Sequence, residues 1–229
     1  MDRPHEYTLI TGACSGTGEA VARRIAATKR VILHGRDLER LEALRLNLPN
    51  PASHLTWCQE FAGNNDISEG LVGLLSESIA VCTAFIHCAQ EFVPVTSADR
   101  GSVLKTFQIN YFSATAILRV LLRRTVNRGA LRAIVFVSSI AVRFGARGYC
   151  TYAATKGALD SLSRSLAAEL APVVRVNSIL SGINETREGC LITPGHTDDI
   201  AAMSEYLISD RARWITGQQF VVDGGKTAH

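Results

Sequence analysis

The stretch GYCTYAATKGAL, Gly148 to Leu159, carries two tyrosines and one lysine. On a helix Tyr152 and Lys156 stand at i and i+4 and share a face, while Tyr149 reaches the same region from the helix entrance. A free phenol has a pKa of about 10, too high for an effective base at neutral pH. An ammonium held beside it favours the phenolate and lowers that value, so the pair suits proton transfer at an oxygen. Which tyrosine does the work is open at this point, because each alone could be a packed aromatic. Two serines, Ser138 and Ser139, close the apolar run IVFVSS, and an asparagine, Asn110, lies in FQINYFSA. Either kind of residue could polarise a carbonyl or order a water, but a lone Ser or Asn is more often a cap or a packing residue.

A second chemical signal sits near the start, in TGACSGTGEAVA, with Gly12, Gly16 and Gly18. Glycines spaced in this way permit a tight turn, close backbone approach to a pyrophosphate and close packing of helix on sheet. Amides at the following helix N-terminus favour negative charge. No lysine follows the last glycine, which disfavours a triphosphate P-loop.

These residues need a scaffold, and the hydrophobic pattern supplies one. YTLIT, RVILHG, HLTWCQEF, AVCTAFIHCA, LRAIVFVSSI, VRVNSIL and QQFVVDGG read as strands. Between them lie helical stretches: EAVARRIAAT, DLERLEALRLNL, SEGLVGLLSES, a long one from about Ser102 to Arg124, TYAATKGALDSLSRSLAAELA up to Pro172, and TDDIAAMSEYLIS. Strands alternating with helices imply right-handed crossovers and one parallel sheet covered on both faces. No linker or repeat divides the 229 residues, so the expectation is a single α/β domain over 1–229. Ligands of such sheets bind beyond the carboxyl ends of the strands. Both chemical signals fall there.

Composition narrows the function classes. With 24 basic against 21 acidic residues, the charge makes no case for nucleic acid. The six cysteines show no CxxC pair and sit partly in apolar runs, the pattern of a reducing compartment, and the scattered histidines imply no metal site. No run approaches membrane-spanning length, and MDRPHEYTLI mixes acid with base, unlike a signal peptide. A cytoplasmic location without membrane partners is the expectation.

Taken together, these motifs resemble the short-chain dehydrogenase/reductase family in its small single-domain form. Its TGxxxGxG pattern matches Thr11 to Gly18, its YxxxK matches Tyr152 and Lys156, and its serine and asparagine match Ser139 and Asn110. The closing ITGQQFVVDGG is similar to the family's last segment, so the likeness spans nearly the whole chain. The resemblance implies a doubly wound Rossmann-type domain with a parallel sheet of about seven strands. It assigns Tyr152 as proton donor or acceptor, leaving Tyr149 at the entrance and Ser138 on the opposite side of the strand. Ser139 would hold the substrate oxygen, Lys156 the nicotinamide ribose, and Asn110 a relay water. The cofactor contacts it implies are Gly12, Cys14, Ser15, Gly16, Thr17, Gly18, Arg36, Glu60, Phe61, Cys88, Ala89, Gln90, Tyr152, Lys156, Gly182, Ile183 and Thr186, with no metal.

At the end of the second strand Gly35 and Arg36 stand where NAD-dependent enzymes usually carry an acid, so NADP(H) is favoured over NAD(H), with Asp37 next door as the competing reading. Departures from the family are Cys88-Ala89-Gln90 for its Asn-Ala-Gly, Glu60-Phe61 for its Asp-Val (Asp66-Ile67 being a less well-spaced candidate), Ser181-Gly182 for its Pro-Gly, and a short segment after Thr186. The expected function is a carbonyl reductase or alcohol dehydrogenase, for which a 3-oxoacyl thioester is one candidate substrate. A cofactor-binding sensor or scaffold is the alternative, and an epimerase is disfavoured by the lack of a further substrate domain. The resemblance also implies a homodimer or homotetramer; Leu159, Leu162, Leu166 and Leu170 either serve that contact or face the subunit's own sheet.

Overall fold

The computed structural model describes residues 3–63, 66–94, 99–144, 146–182 and 195–228. The strands are β1 (His5–Thr11), β2 (Val31–Gly35), β3 (Leu55–Cys58), β4 (Ala80–His87), β5 (Ala133–Ser139), β6 (Arg175–Ser181) and β7 (Gln219–Val222). The helices are α1 (Gly16–Ala26), α2 (Leu38–Leu46), α3 (Ile67–Glu77), α4 (Arg100–Phe107), α5 (Ser113–Leu121), α6 (Arg124–Asn127), α7 (Cys150–Leu170) and α8 (Thr197–Ile208). The seven strands form one sheet in the order β3-β2-β1-β4-β5-β6-β7, every pair parallel. The chain winds outward from β1 to β3 and then returns to build the other half from β4. The crevice beyond β1 and β4 is therefore the topological switch point.

Period-two alternation explains why this sequence makes two cores from one sheet. Leu9, Ile32, Phe85, Ile134 and Phe136 point to one face, under α3, α5 and α7. Their neighbours Ile10, Leu33, Ile86, Val135 and Val137 point to the other, with Val21 and Ile25 of α1 and Ile200 and Leu207 of α8. Both faces are covered, which is why the strands read as near-continuous apolar runs. Burying each large apolar side chain contributes roughly 1.5–3 kcal/mol.

The helix expected from Ser102 to Arg124 is not uniform. A π-helical turn, Gln108–Phe112, separates α4 from α5, and α6 is a further short helix that the periodicity does not announce. The wide turn carries Asn110, and such insertions recur at functional sites. Leu159 and Leu166 of α7 are buried in the subunit's own core, with Leu162 and Leu170 packed against it. Of the two readings of these leucines the inward one holds, and they give no support to an oligomer contact. Among the described residues no helix is long and apolar enough to cross a membrane.

Candidate active site

Gly12, just past β1, has a positive φ of 69°, and a Cβ there would lie 2.9 Å from the Ala89 backbone. Gly18 meets the Gly12 carbonyl so closely that no side chain fits. The two glycines thus bring the loop against the end of β4 and the helix against the loop. Ser15 caps α1 without its side chain bonding the helix, although the Gly18 amide donates to the Ser15 carbonyl at 3.0 Å; the Ser15 side chain thus does not compete with an anion at the start of the helix dipole.

The crevice is tied together by a buried histidine. Thr11 Oγ1 accepts from the amides of Cys88 (3.1 Å) and Ala89 (3.2 Å) and pairs with His87 Nδ1 at 2.9 Å. With both lone pairs used, the threonine hydroxyl donates to Nδ1, so the ring proton sits on Nε2 and is donated to the Asn110 carbonyl at 3.1 Å. Burial, reinforced by the nearby Lys156 charge, pushes His87 down to about 3, and it is neutral. The sequence marks His87 only by its place at the end of a buried strand.

Asn110 clamps the segment after β4. Its Oδ1 accepts from the Glu91 amide at 2.6 Å, and its Nδ2 donates to the Glu91 carbonyl at 3.0 Å and to Thr155 Oγ1 at 2.9 Å. Thr155 in turn donates to the Tyr152 carbonyl at 2.7 Å. Asn110 and the Tyr152 turn of α7 are therefore one hydrogen-bonded unit.

Tyr152, Lys156 and Ser139 come together above this unit. Lys156 is completely buried; its Nζ donates to the Val137 carbonyl at 2.9 Å and lies 5.5 Å from the centre of the Tyr152 ring. Burial lowers the ammonium to about 8, against a smaller raising by Cys88 and Asp160. The expected lowering of the Tyr152 phenol by Lys156 is not what this arrangement gives. Burial dominates and pushes it up to about 12, with the Ser139 hydroxyl acting the other way and Tyr149 adding to the rise. Tyr152 is thus protonated at neutral pH. Its hydroxyl donates to Gln90 Oε1 at 3.1 Å. Ser138 lies beneath α7, its hydroxyl donating to the Lys156 carbonyl at 3.4 Å. Tyr149 is at the entrance, half-exposed, its ring 4.5 Å from that of Phe92.

A cleft leads from Gly12 and Ser15 past Gly35, Arg36 and Arg40 to Phe61 and Gln90. Asp37 is committed elsewhere: it caps α2, accepting from the Arg40 amide at 3.1 Å. Arg36 is exposed and faces Glu91 across the cleft at 3.9 Å. Arg40, in the first turn of α2, donates to the Cys14 carbonyl at 2.6 Å and adds a second guanidinium beside the cleft; only its nearness in sequence to Arg36 signals it. Phe61 is buried and stacks on His34, ring centres 3.9 Å apart. His34 borders the cleft with a buried Nδ1 that has no hydrogen-bond partner. Glu60, also in the cleft wall, uses its carboxylate on the Ala62 amide. Asp66 caps α3 through the Ser68 amide, which accounts for its carboxylate. Gly182, at the end of β6, donates to the Val222 carbonyl at 2.9 Å, while Ile183 and Thr186 lie outside the described residues.

The α1 N-terminus, the cleft lined by Gly12 and Gly35 and the two guanidinium groups fit an extended anionic dinucleotide. The short chain dehydrogenase family pattern matches residues 6–189. The chain belongs to the short-chain dehydrogenase/reductase family. It is 31% identical to a D-erythrulose reductase of Gallus gallus, over 95% of this chain and 94% of that one. It is 33% identical to an L-rhamnose 1-dehydrogenase (NAD(P)(+)) of Azotobacter vinelandii, over 95% and 94%. A solved 4-hydroxyisoleucine dehydrogenase complexed with NADH matches at a TM-score of 0.87 and 25% identity, covering 98% of this chain and 99% of that one. As a short-chain dehydrogenase/reductase the protein is an oxidoreductase, of a family that works with a nicotinamide cofactor on small carbonyl or alcohol substrates.

Proposed function

We propose that this short-chain dehydrogenase/reductase reduces a carbonyl compound with NADPH through Ser139, Tyr152 and Lys156. What supports this reading is geometry: the Tyr152 hydroxyl opens onto the cleft beside Gln90 at 3.1 Å, with the buried Lys156 ammonium 5.5 Å from its ring. Burial and the neighbouring Ser139 act on a phenol that stays protonated at neutral pH. NADPH held along Gly12, Ser15, Arg36 and Arg40 would supply the hydride equivalent that the reduction needs. Ser139 donates a hydrogen bond to the carbonyl oxygen and stabilises the charge that develops there. Tyr152 delivers the proton that completes the alcohol. Lys156, protonated below about pH 8, then opposes the negative charge left on the phenol. Asn110 fixes the turn that carries Tyr152; because both hydrogens of its Nδ2 are engaged, a relay water would have to donate to Oδ1 or to its main-chain carbonyl.

The preference for NADP(H) over NAD(H) rests on Arg36 and Arg40 beside Gly35, with Asp37 spent on a helix cap. A guanidinium fork suits a ribose phosphate, whereas a carboxylate at Gly35 would suit a free hydroxyl. For the substrate, the two curated relatives are named for polyhydroxylated compounds, which favours small hydroxylated ketones over the 3-oxoacyl thioester. Homo-oligomerisation is supported by Leu104 and Phe112, exposed on the arm that carries Asn110; a single monomeric species in light scattering at micromolar concentration would contradict it.

The test is a panel of hydroxyketones, plain ketones and a 3-oxoacyl thioester, assayed with NADPH and NADH through the absorbance of the reduced cofactor. NADPH-dependent reduction of a small hydroxyketone is the expected outcome. Cofactor binding without turnover of any member would favour the scaffold reading instead.

A further inference from the structure

Gln90 stands where the motif has glycine, and its side chain takes the proton of the Tyr152 hydroxyl, Oε1 accepting at 3.1 Å. A phenol gives its single proton to one acceptor at a time. A carbonyl oxygen that takes this proton must therefore displace Gln90 Oε1. Gln90 is exposed at the mouth of the cleft, so its carboxamide can turn aside at little cost. It remains next to the bound oxygen, with one acceptor and two donors to satisfy.

A hydroxyl on the carbon adjacent to the carbonyl suits that position. The two oxygens of such a ketone lie about 3 Å apart, one hydrogen-bond length. The carbonyl oxygen replaces Oε1 on Tyr152, and the neighbouring hydroxyl donates to the displaced Oε1 or accepts from Nε2. A methyl group at the same place makes no bond and leaves the carboxamide to water. Around this point the rings of Phe92 and Tyr149 both stand 6.0 Å from that of Tyr152, an apolar wall for the carbon face of a small substrate.

We infer that Gln90 is a substrate-binding residue that reads a hydroxyl adjacent to the reacting carbonyl and so selects α-hydroxyketones over plain ketones of the same shape. The inference rests on the reductase reading of Tyr152. It names the residue that sets substrate class, which that reading does not supply.

Hydroxyacetone and butanone form a near-isosteric pair, differing by hydroxyl for methyl. Their kcat/KM values with NADPH should be measured for the wild type, Gln90→Leu, Gln90→Ala and Gln90→Glu. The intrinsic reactivities of the two ketones cancel when their ratio is compared between variants. One neutral hydrogen bond corresponds to about a three- to tenfold change in that ratio. The preference for hydroxyacetone should fall by that factor in Gln90→Leu and in Gln90→Ala. It should persist in Gln90→Glu, which keeps the acceptor oxygens. Turnover of both ketones with an unchanged ratio in the Leu and Ala variants would overturn the role of Gln90 and leave the reductase reading standing. Absence of turnover in the wild type with both ketones and the wider panel would sink both.

Discussion

The two ends of the cleft are built by opposite means. At the Tyr152 end, Lys156, Asn110 and His87 are completely buried, and each is held by hydrogen bonds to Val137, Glu91, Thr155 or Thr11. At the opposite end, the Arg36 side chain is 66% exposed and its nearest carboxylate stands at 3.9 Å. The buried end is over-determined, because moving one group strands the others without partners in a low-dielectric interior. At the exposed end Arg36 is placed by charge and space, its approach to Glu91 no closer than 3.9 Å, although Arg40 beside it is fixed on the Cys14 carbonyl. Under the proposed function, chemistry that requires fixed geometry would sit where packing enforces it, and cofactor preference where a surface side chain can change it.

The largest effect should come from attacking the buried end at its charge. Lys156→Met keeps the length of the side chain and removes the ammonium, so reduction should fall about a hundredfold or more. The thermal midpoint should hold, because a desolvated charge leaves the core together with its one hydrogen bond. A fall in midpoint large enough to explain the lost activity would show Lys156 to be structural. In the wild type, turnover should decline above about pH 8, where the ammonium loses its proton; a profile flat to pH 10 would contradict that assignment.

The exposed end should respond more weakly and only toward one cofactor. A charge-assisted contact is worth about 1.5–3 kcal/mol, and exposure places Arg36→Ala near the lower bound, about a tenfold loss of NADPH affinity. NADH affinity should be nearly untouched, and the NADPH advantage of the wild type should shrink as salt rises. An equal loss with both cofactors would reduce Arg36 to a loop support. Gly35→Asp should go further toward NADH, but a Cβ at Gly35 would lie 2.8 Å from Cys14 Sγ. The switch should therefore be cleaner with Cys14→Ala added, and catalytic efficiency with NADH is the readout.

The smallest effect concerns one buried histidine at each end, His87 by Thr11 and His34 by Phe61. His87 is depressed to about 3 and His34 to about 4 from an ordinary 6.5, both chiefly by burial. The unfolded chain binds protons that the folded one refuses between those values. Stability is thus complete above about pH 6.5 and is lost progressively as pH falls toward 4 and then 3. The thermal midpoint should drop by several degrees between pH 7 and 5. His87→Gln, with no group to titrate, should start lower and fall less steeply. An identical slope would mean that other groups carry the acid sensitivity.

Much of this was legible from residue order, for a physical reason. Period-two alternation in AIVFVSS and the four-residue step from Tyr152 to Lys156 are imposed by backbone geometry, so both survive translation into structure. The sheet order follows from crossovers that have one favoured hand. The π-turn around Asn110 was not legible, because one extra residue in a helix leaves the apolar pattern nearly unchanged. The roles of His87 and of the Gln90 side chain were hidden too, since both arise from contacts between segments distant in sequence. The sign of the Tyr152 shift depended on burial, which spacing alone does not report.

The central claim is that Tyr152, and not its neighbour, passes the proton. The direct test measures NADPH binding and hydroxyketone turnover on the same preparations of wild type, Tyr152→Phe and Tyr149→Phe. Binding should be kept by all three. Turnover should collapse by about a hundredfold or more in Tyr152→Phe and remain mostly intact in Tyr149→Phe. Full turnover in Tyr152→Phe with loss in Tyr149→Phe would contradict the account.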